Sequence, residues 1–327
     1  MAGAPTMHDV AARAGVALSS VSRVLSGHPD VSGQMRGRVV QAAEELGYEP
    51  HYLAQSLRRG STMTVGFTVR DIANPLFADI AKGAETTLRP EGYSMLLTNS
   101  DGDPELELSH LSLFRRRRVD GLILSLASEV YGPTLDLLGA IGRPMVLVDR
   151  DVPSLAAGSV LCDHYPGAVA AVSDLLSKGR NRIAFIAGDE RLRATRERLK
   201  GYTEAHRAAG VDVDDDLIFQ GTYTEAYGRS ATETVLTSVE KPSAIFAGGV
   251  QLTIGSLSVL QERNITIGSD IGFVACDALP VMRLLAPGLS VVTRDSLEIG
   301  QKAAQELLRQ LAGEDASVTT VSTEYFP

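Results

Sequence analysis

From Thr62 onward, short apolar runs alternate with amphipathic stretches of helical length, and no other feature narrows the fold so far. Strand-like runs are expected at Met63–Val69, Tyr93–Asn99, Val119–Ser125, Pro144–Val148, Ser159–Cys162, Arg182–Ala187, Leu217–Gln220, Ser243–Ala247, Ile271–Cys276 and Leu289–Thr293. Between most of them lie helix-length segments: Leu76–Glu91, Pro104–Arg118, Pro166–Lys178, Arg191–Ala209, Glu225–Leu236, Gln251–Arg263 and Ser296–Leu311. Continuous apolar strands separated by helices imply parallel sheets covered on both faces. Ten strands over roughly 260 residues divide more naturally into two doubly wound lobes than into one sheet.

The chain before Thr62 has a different texture. In Met7–Gly27 two short helical patterns flank Gly15. The first carries Val10, Ala11 and Ala14 on one face. In the second, Val21, Val24 and Leu25 share one side, while Leu18, Ser19, Ser22, Arg23 and Ser26 occupy the other. Gly15 permits a tight turn between crossing helices. Short hydroxyls around one guanidinium suit the major groove, where Arg pairs bidentately with guanine. Spacing alone fits an ordinary surface helical hairpin equally well.

A third helix is expected within Val31–Gly47, with Ser32 as N-cap, Gly47 as terminator and a stripe of Val39, Val40, Ala43 and Leu46. Three short helices with a small-residue turn between the first two make a helix-turn-helix unit. A segment entered through Pro50 and left through Arg58-Arg59-Gly60 follows. The runs DVAARAGVALSSVSRVLSG, VSGQMRGRV, LGYEP and LAQSLRRG resemble the DNA-binding headpiece of the lactose-repressor (LacI) family. The departures are Ala17 where the family often has Ser, Met35 for Thr and His51 for Asn. The core resembles that family's effector-binding domain, itself similar to periplasmic sugar-binding proteins. The matching stretches are NPLF (74–77), VDGLIL (119–124), VLVDR (146–150), TRERLKGY (195–202), AIFAGG (244–249), IGFVACD (271–277) and EIGQKAA (298–304).

The resemblance implies an organisation and a set of sites. The organisation is an α/β protein with a helix-turn-helix headpiece over residues 1–50, a hinge helix over 51–60 and a two-lobed core of parallel sheets over 61–327. One lobe would hold 61–161 with 293–318, the other 162–291 with 320–327, joined by crossovers near 161–163, 290–293 and 318–321. DNA contacts are expected from Thr6, His8, Ala17, Leu18, Ser19, Ser20, Ser22, Arg23, Ser26, Ala54, Leu57 and Arg58. Leu57 would be an apolar wedge in the minor groove.

Ligands of open α/β sheets sit beyond the carboxyl ends of the strands. The polar residues at those ends are Arg70, Asp71, Asn99, Ser125, Asp149 and Asp277. With the resemblance, the expected effector contacts are Asp71, Ser125, Asp149, Arg198, Tyr223, Gly249 and Asp277. Asp149 and Asp277 could instead cap helices, and Tyr223 could be packing. The family commonly has Asn-Asp where Gly249-Val250 stand, so the pocket departs from the usual chemistry. Gly179-Arg180 stands where Gly-His is common.

Charge qualifies the DNA reading. The whole chain carries −9, yet residues 1–60 carry +1, so the remainder carries −10. Phosphate contacts must come partly from backbone amides, helix N-termini and hydroxyls. The arginine run 115–118 reads as a solvated face suited to a helix C-terminus. The start MAGAPTMHDV has no secretory pattern, and no apolar run is long enough to span a bilayer. Cys162 and Cys276 are expected as buried free thiols. There is no Walker loop, GxGxxG, nucleophile elbow or His/Cys metal spacing, so neither a cofactor, a metal nor a catalytic residue is expected. The combined expectation is a cytoplasmic, homodimeric regulator, a repressor in the first instance, with double-stranded operator DNA and a sugar or related metabolite as partners. A solute-binding protein without a DNA role is the alternative. An α/β enzyme has only the cleft in its favour.

Overall fold

The computed structural model describes residues 5–25, 28, 30–48, 60–277 and 280–327. Contacts gather the chain into two compact units, Met1–Met63 and Thr64–Pro327. Ser26, Ala54, Leu57 and Arg58 lie outside the described residues.

The smaller unit contains α1 (Met7–Ala14), α2 (Leu18–Leu25) and α3 (Gly33–Leu46). A reciprocal cap opens α1: the Asp9 amide donates to the Thr6 hydroxyl, and the Asp9 carboxylate accepts from the Thr6 amide at 2.8 Å. The helix ends at Gly15, whose φ of +63° favours a residue without Cβ. Arg38 of α3 grips this turn, its guanidinium donating to the carbonyls of Ala14 and Gly15. As expected, Ser32 caps α3 by accepting from the Met35 amide, and Gly47 ends it at φ +62°. The core is Val10, Ala11, Ala14, Val21, Val24, Val39, Ala42 and Ala43. One expectation is corrected: Val40 is exposed, and Ala42 takes the inward place. Residue 40 lies about 100° round the helix from residue 39, which carries it off the narrow face that three small helices can bury.

In the larger unit β1 (Thr64–Val69), β2 (Ser94–Asn99), β3 (Gly121–Leu124), β4 (Met145–Val148) and β5 (Gly158–Asp163) belong to one sheet. The strands β6 (Ile183–Ala187), β7 (Ile218–Gln220), β8 (Ala244–Ala247), β9 (Gly272–Cys276) and β10 (Ser290–Thr293) belong to another. Each set runs in the order second, first, third, fourth, fifth, all parallel. The two lobes are thus copies of one doubly wound topology. Two further strands complete them: β11 (Val318–Ser322) lies parallel to β5, and β12 (Glu324–Phe326) antiparallel to β10. The covering helices are α4 (Pro75–Leu88), α5 (Pro104–Arg117), α6 (Gly132–Ile141), α7 (His164–Ser177), α8 (Arg193–Ala209), α9 (Glu225–Thr237), α10 (Val250–Glu262), α11 (Pro280–Leu285) and α12 (Ser296–Leu311).

Both faces of each sheet are covered. In the first, Ile123 and Val146 face one core while Leu122, Leu124 and Leu147 face the other. The chain passes between sheets after Asp163, after Thr293 and at Thr323. The first and third passages are tied together, the Thr323 hydroxyl donating to the Asp163 carbonyl at 2.7 Å. Both cysteines are buried free thiols, and burial pushes Cys162 up to about 12 and Cys276 up to about 11. No helix among the described residues is long and apolar enough to cross a membrane.

Candidate functional site

A cleft of ≈ 720 Å³, measured out to open solvent, lies between the carboxyl ends of the two sheets. All seven expected effector contacts line it: Asp71, Ser125, Asp149, Arg198, Tyr223, Gly249 and Asp277. Six of them converge because parallel strands deliver their terminal loops to one edge, and the edges of two lobes face each other, while Arg198 reaches the cleft from the helix Arg193–Ala209. Asp71 follows β1 and Ser125 follows β3, on either side of the point where strand order reverses. Gly249 follows β8, beside the equivalent point of the other sheet. Asn99 has a local role, accepting from the Ile72 amide at 2.9 Å.

Asp149 and Asp277 end β4 and β9 in matching ways. Each has positive φ, +52° and +58°. Each donates its amide to a valine of the next strand at 2.8 Å, Asp149 to Val160 and Asp277 to Val292. Their carboxylates meet over Arg294, just after β10. Its Nη1 donates to Asp149 Oδ2 at 2.6 Å, its Nε to Asp277 Oδ1 at 3.0 Å and its Nη2 to Asp277 Oδ2 at 3.1 Å. Arg198 of α8 donates to Asp277 at 3.1 Å and to the Gly248 carbonyl at 2.8 Å. His164, the first residue of α7, holds Asp149 at 2.9 Å, and Arg193 lies 3.5 Å away.

Burial alone would raise both carboxyls. His164 and Arg294 instead hold Asp149 well below the ordinary carboxylate range, and Arg294 with Arg198 lowers Asp277. Burial lowers His164 to about 4 despite the adjoining carboxylate, so its ring is neutral at pH 7 and donates Nε2–H to Asp149. Arg294 stays charged, far above its usual range, because its aspartate neighbours outweigh burial. Asp149, Cys162 and His164 are close enough to bracket a cation. The guanidiniums of Arg294 and Arg193 already occupy that carboxylate, and a metal ion would have to displace them. Arg294 and His164 were missed from sequence. Both stand at passages between lobes, where a lone charge looks like solvated loop.

The cleft's aromatic wall is Tyr223. Its hydroxyl pairs with the Thr195 hydroxyl at 2.8 Å, and the Arg70 guanidinium lies 5.2 Å from the ring centroid. Gly188 makes room for the ring: a Cβ there would fall 1.9 Å from Tyr223 Cε2. Val250 is buried at the first position of α10, and its side chain offers the cleft no polar atom. Gln251 beside it donates to Asp71 across the cleft at 3.1 Å. At another border Glu129 of the first lobe accepts from the Arg193 amide at 3.1 Å and from Arg196 at 2.9 Å. It thereby caps α8, whose own N-cap residue is Leu192.

In the smaller unit, α2 buries Val21 and Val24 and leaves Leu18, Ser19 and Arg23 exposed, with Ser20 and Ser22 half-buried. Ala17 precedes the helix without a capping oxygen. Thr6 and His8 are exposed at the start of α1, and the Thr6 hydroxyl also donates to Asp9 at 2.7 Å. Arg13 pairs with Glu45, and Arg38 is committed to the turn after α1.

Comparison with known proteins adds the following. A family model described as periplasmic binding proteins and sugar binding domain of LacI family matches residues 62–327. A second, bacterial regulatory proteins of the lacI family, matches residues 6–51. Catabolite control protein A of Priestia megaterium is 32% identical over 96% of this chain and 95% of its own length. The HTH-type transcriptional repressor CytR of Escherichia coli is 30% identical over 95% of this chain and 91% of its own. Among solved structures, the transcriptional regulator CelR in its cellobiose complex matches with a TM-score of 0.75 and 28% identity, over 99% of this chain and 98% of the other.

Proposed function

Since this chain belongs to the LacI family of bacterial regulatory proteins, we infer that it is a transcriptional repressor whose hold on operator DNA responds to a small molecule in the interlobe cleft. The observation that carries this reading is one chain in which a helix-turn-helix unit and a periplasmic-binding-protein-like core each match the family. It acts as a homodimer in the cytoplasm, each headpiece reading half of a near-palindromic operator.

The exposed face of α2 supplies base contact through Arg23, with Ser19, Ser20 and Ser22 close to the duplex. Thr6, His8, Ala17 and Leu18 approach the phosphates, the uncapped start of α2 presenting its amides. Ser26, Ala54, Leu57 and Arg58 complete the interface, with Leu57 inserted in the central minor groove. In the cleft, Tyr223 gives the effector an apolar face, and Asp71, Ser125 and the Gly249 backbone give it polar contacts. Asp149, Arg198 and Asp277 act chiefly through Arg294, which a ligand would engage or loosen. A change of lobe angle then alters the spacing of the headpieces. The match to the headpiece disfavours the solute-binding alternative.

The reading is tested by gel shift of genomic fragments, followed by titration of the selected fragment with candidate effectors. A sequence-specific complex whose affinity changes with one metabolite is expected. Absence of any fragment preference, in a protein that still binds a small molecule, would return the chain to the solute-binding class.

A further inference from the structure

Five arginines surround the cleft or its border, and they divide into two groups. Arg193, Arg198 and Arg294 each have an aspartate carboxylate within 4.0 Å. Arg70 and Arg150, both lining the cleft, have none within that distance among the described residues. Arg150 is 6% exposed, and its two protein hydrogen bonds go to main-chain carbonyls, Leu126 at 2.7 Å and Asp149 at 2.8 Å. Those bonds fix the guanidinium without neutralising it. Arg70 rests on the Tyr223 ring, and its guanidinium makes no hydrogen bond to a described residue. The carboxylate beside it, Asp71, is taken by the Ala73 amide at 2.9 Å and by Gln251 at 3.1 Å.

A guanidinium held out of water without a carboxylate in contact is costly, and here the carboxylates act only at longer range, Asp71 and Asp189 on Arg70, and Asp149 and Glu107 on Arg150. Arg150 is buried and Arg70 half-buried; they follow β4 and β1, the strands on either side of β3, beside the reversal of strand order where doubly wound sheets bind ligands. The Ser125 hydroxyl closes the third side from the end of β3. Guanidinium forks match the planar oxygens of a carboxylate and the oxygens of a phosphate.

We propose that the cleft takes an anionic effector, whose phosphate or carboxylate group is held between Arg70 and Arg150 with the Ser125 hydroxyl. This rests on the reading of the cleft as the effector site and names its ligand class: a phosphorylated or acidic metabolite rather than a neutral sugar. Tyr223 then faces the apolar side of the same molecule, and Val250 suits a ligand anchored by its charge.

The test uses the full chain with inorganic phosphate and acetate as probes and chloride at matched ionic strength as control. Calorimetric titration is expected to show saturable binding of phosphate or acetate, weakened roughly 10- to 100-fold in Arg70→Gln and in Arg150→Gln. Preference for phosphate assigns a phosphate ester, and preference for acetate a carboxylate. Arg150 is buried, so the half-buried Arg70 provides the variant that decides the matter if Arg150→Gln fails to fold. Anion binding no stronger than that of chloride, or equal in wild type and Arg70→Gln, overturns the proposal. A neutral sugar that shifts operator affinity while neither anion binds overturns it and leaves the effector reading standing. Anion binding lost in Arg70→Gln, from a cleft that no ligand couples to DNA, upholds the proposal and sinks the effector reading.

Discussion

Glu107 on α5 is wholly buried, with one oxygen accepting from the Ala127 amide at 2.7 Å and the other without a partner among the described residues. Burial pushes its carboxyl up to about 7. In the unfolded chain the group loses its proton near 4.5. The folded state therefore binds more protons between the two values, and stability falls as pH rises from about 4.5 through about 7. Glu107→Gln keeps an acceptor for Ala127 and removes the charge. Thermal unfolding should show it more stable than wild type at pH 8, by up to roughly 3 kcal/mol, with the gain vanishing below about pH 4.5. A gain independent of pH would mean that the buried charge is not the cause. At the other end of the chain, Arg23→Ala should weaken each half-site by about 1–3 kcal/mol and relax preference at one base pair. Binding-site selection with the variant, returning the wild-type preference, would move base reading elsewhere on α2.

Among the helices, α8 begins without its own cap and relies on Glu129 of the other lobe, whereas α9 is capped locally by Thr224, which accepts from the Tyr227 amide. Glu129→Ala should fray the first turn of α8 and leave α9 as it was. Hydrogen exchange at residues 193–196 should quicken roughly tenfold, the equivalent of one lost cap, with residues 225–228 unchanged. Equal loss in both helices would indicate global destabilisation instead. Elements of this kind were largely legible in the sequence, because strand burial and helix capping leave local patterns. Both N-terminal helices fall at Met7–Ala14 and Leu18–Leu25, as their spacing requires. Less legible were α6, and β11 and β12, whose side chains are mostly exposed at sheet edges and show no buried stripe. The helix expected from Pro166 begins at His164, because the backbone enters its turn directly from the passage after β5.

For the whole molecule, charge sets how DNA binding depends on salt. Residues 1–60 contain six arginines and no lysine. Arg13 and Arg38 are spent inside the headpiece, leaving at most four per protomer for phosphates. At about 0.9 per neutralised phosphate, a dimer's log affinity should fall against log salt with a slope no steeper than about 7. Fluorescence anisotropy across a salt series measures it, and a slope near about 10 would require cations from the anionic core. The positions of Asp71, Ser125, Asp149 and Asp277 could be anticipated, since strand termini in parallel sheets have only one edge to go to, whereas Arg198, Tyr223 and Gly249 were expected from the family resemblance. Their pairings could not. Asp149 and Arg294 stand 145 residues apart, and nothing local to either announces the other.

The bridge those two make with Asp277 has an evolutionary consequence. One arginine serves as counterion to two carboxylates from two copies of one topology, and each carboxylate keeps a further partner, Arg198 for Asp277 and His164 for Asp149. Loss of Arg294 removes the counterion the two carboxylates share, so exchange at any of the three alters the setting of the other two. The lobes can drift apart in loops, surfaces and effector chemistry, but at this seam they must change in step.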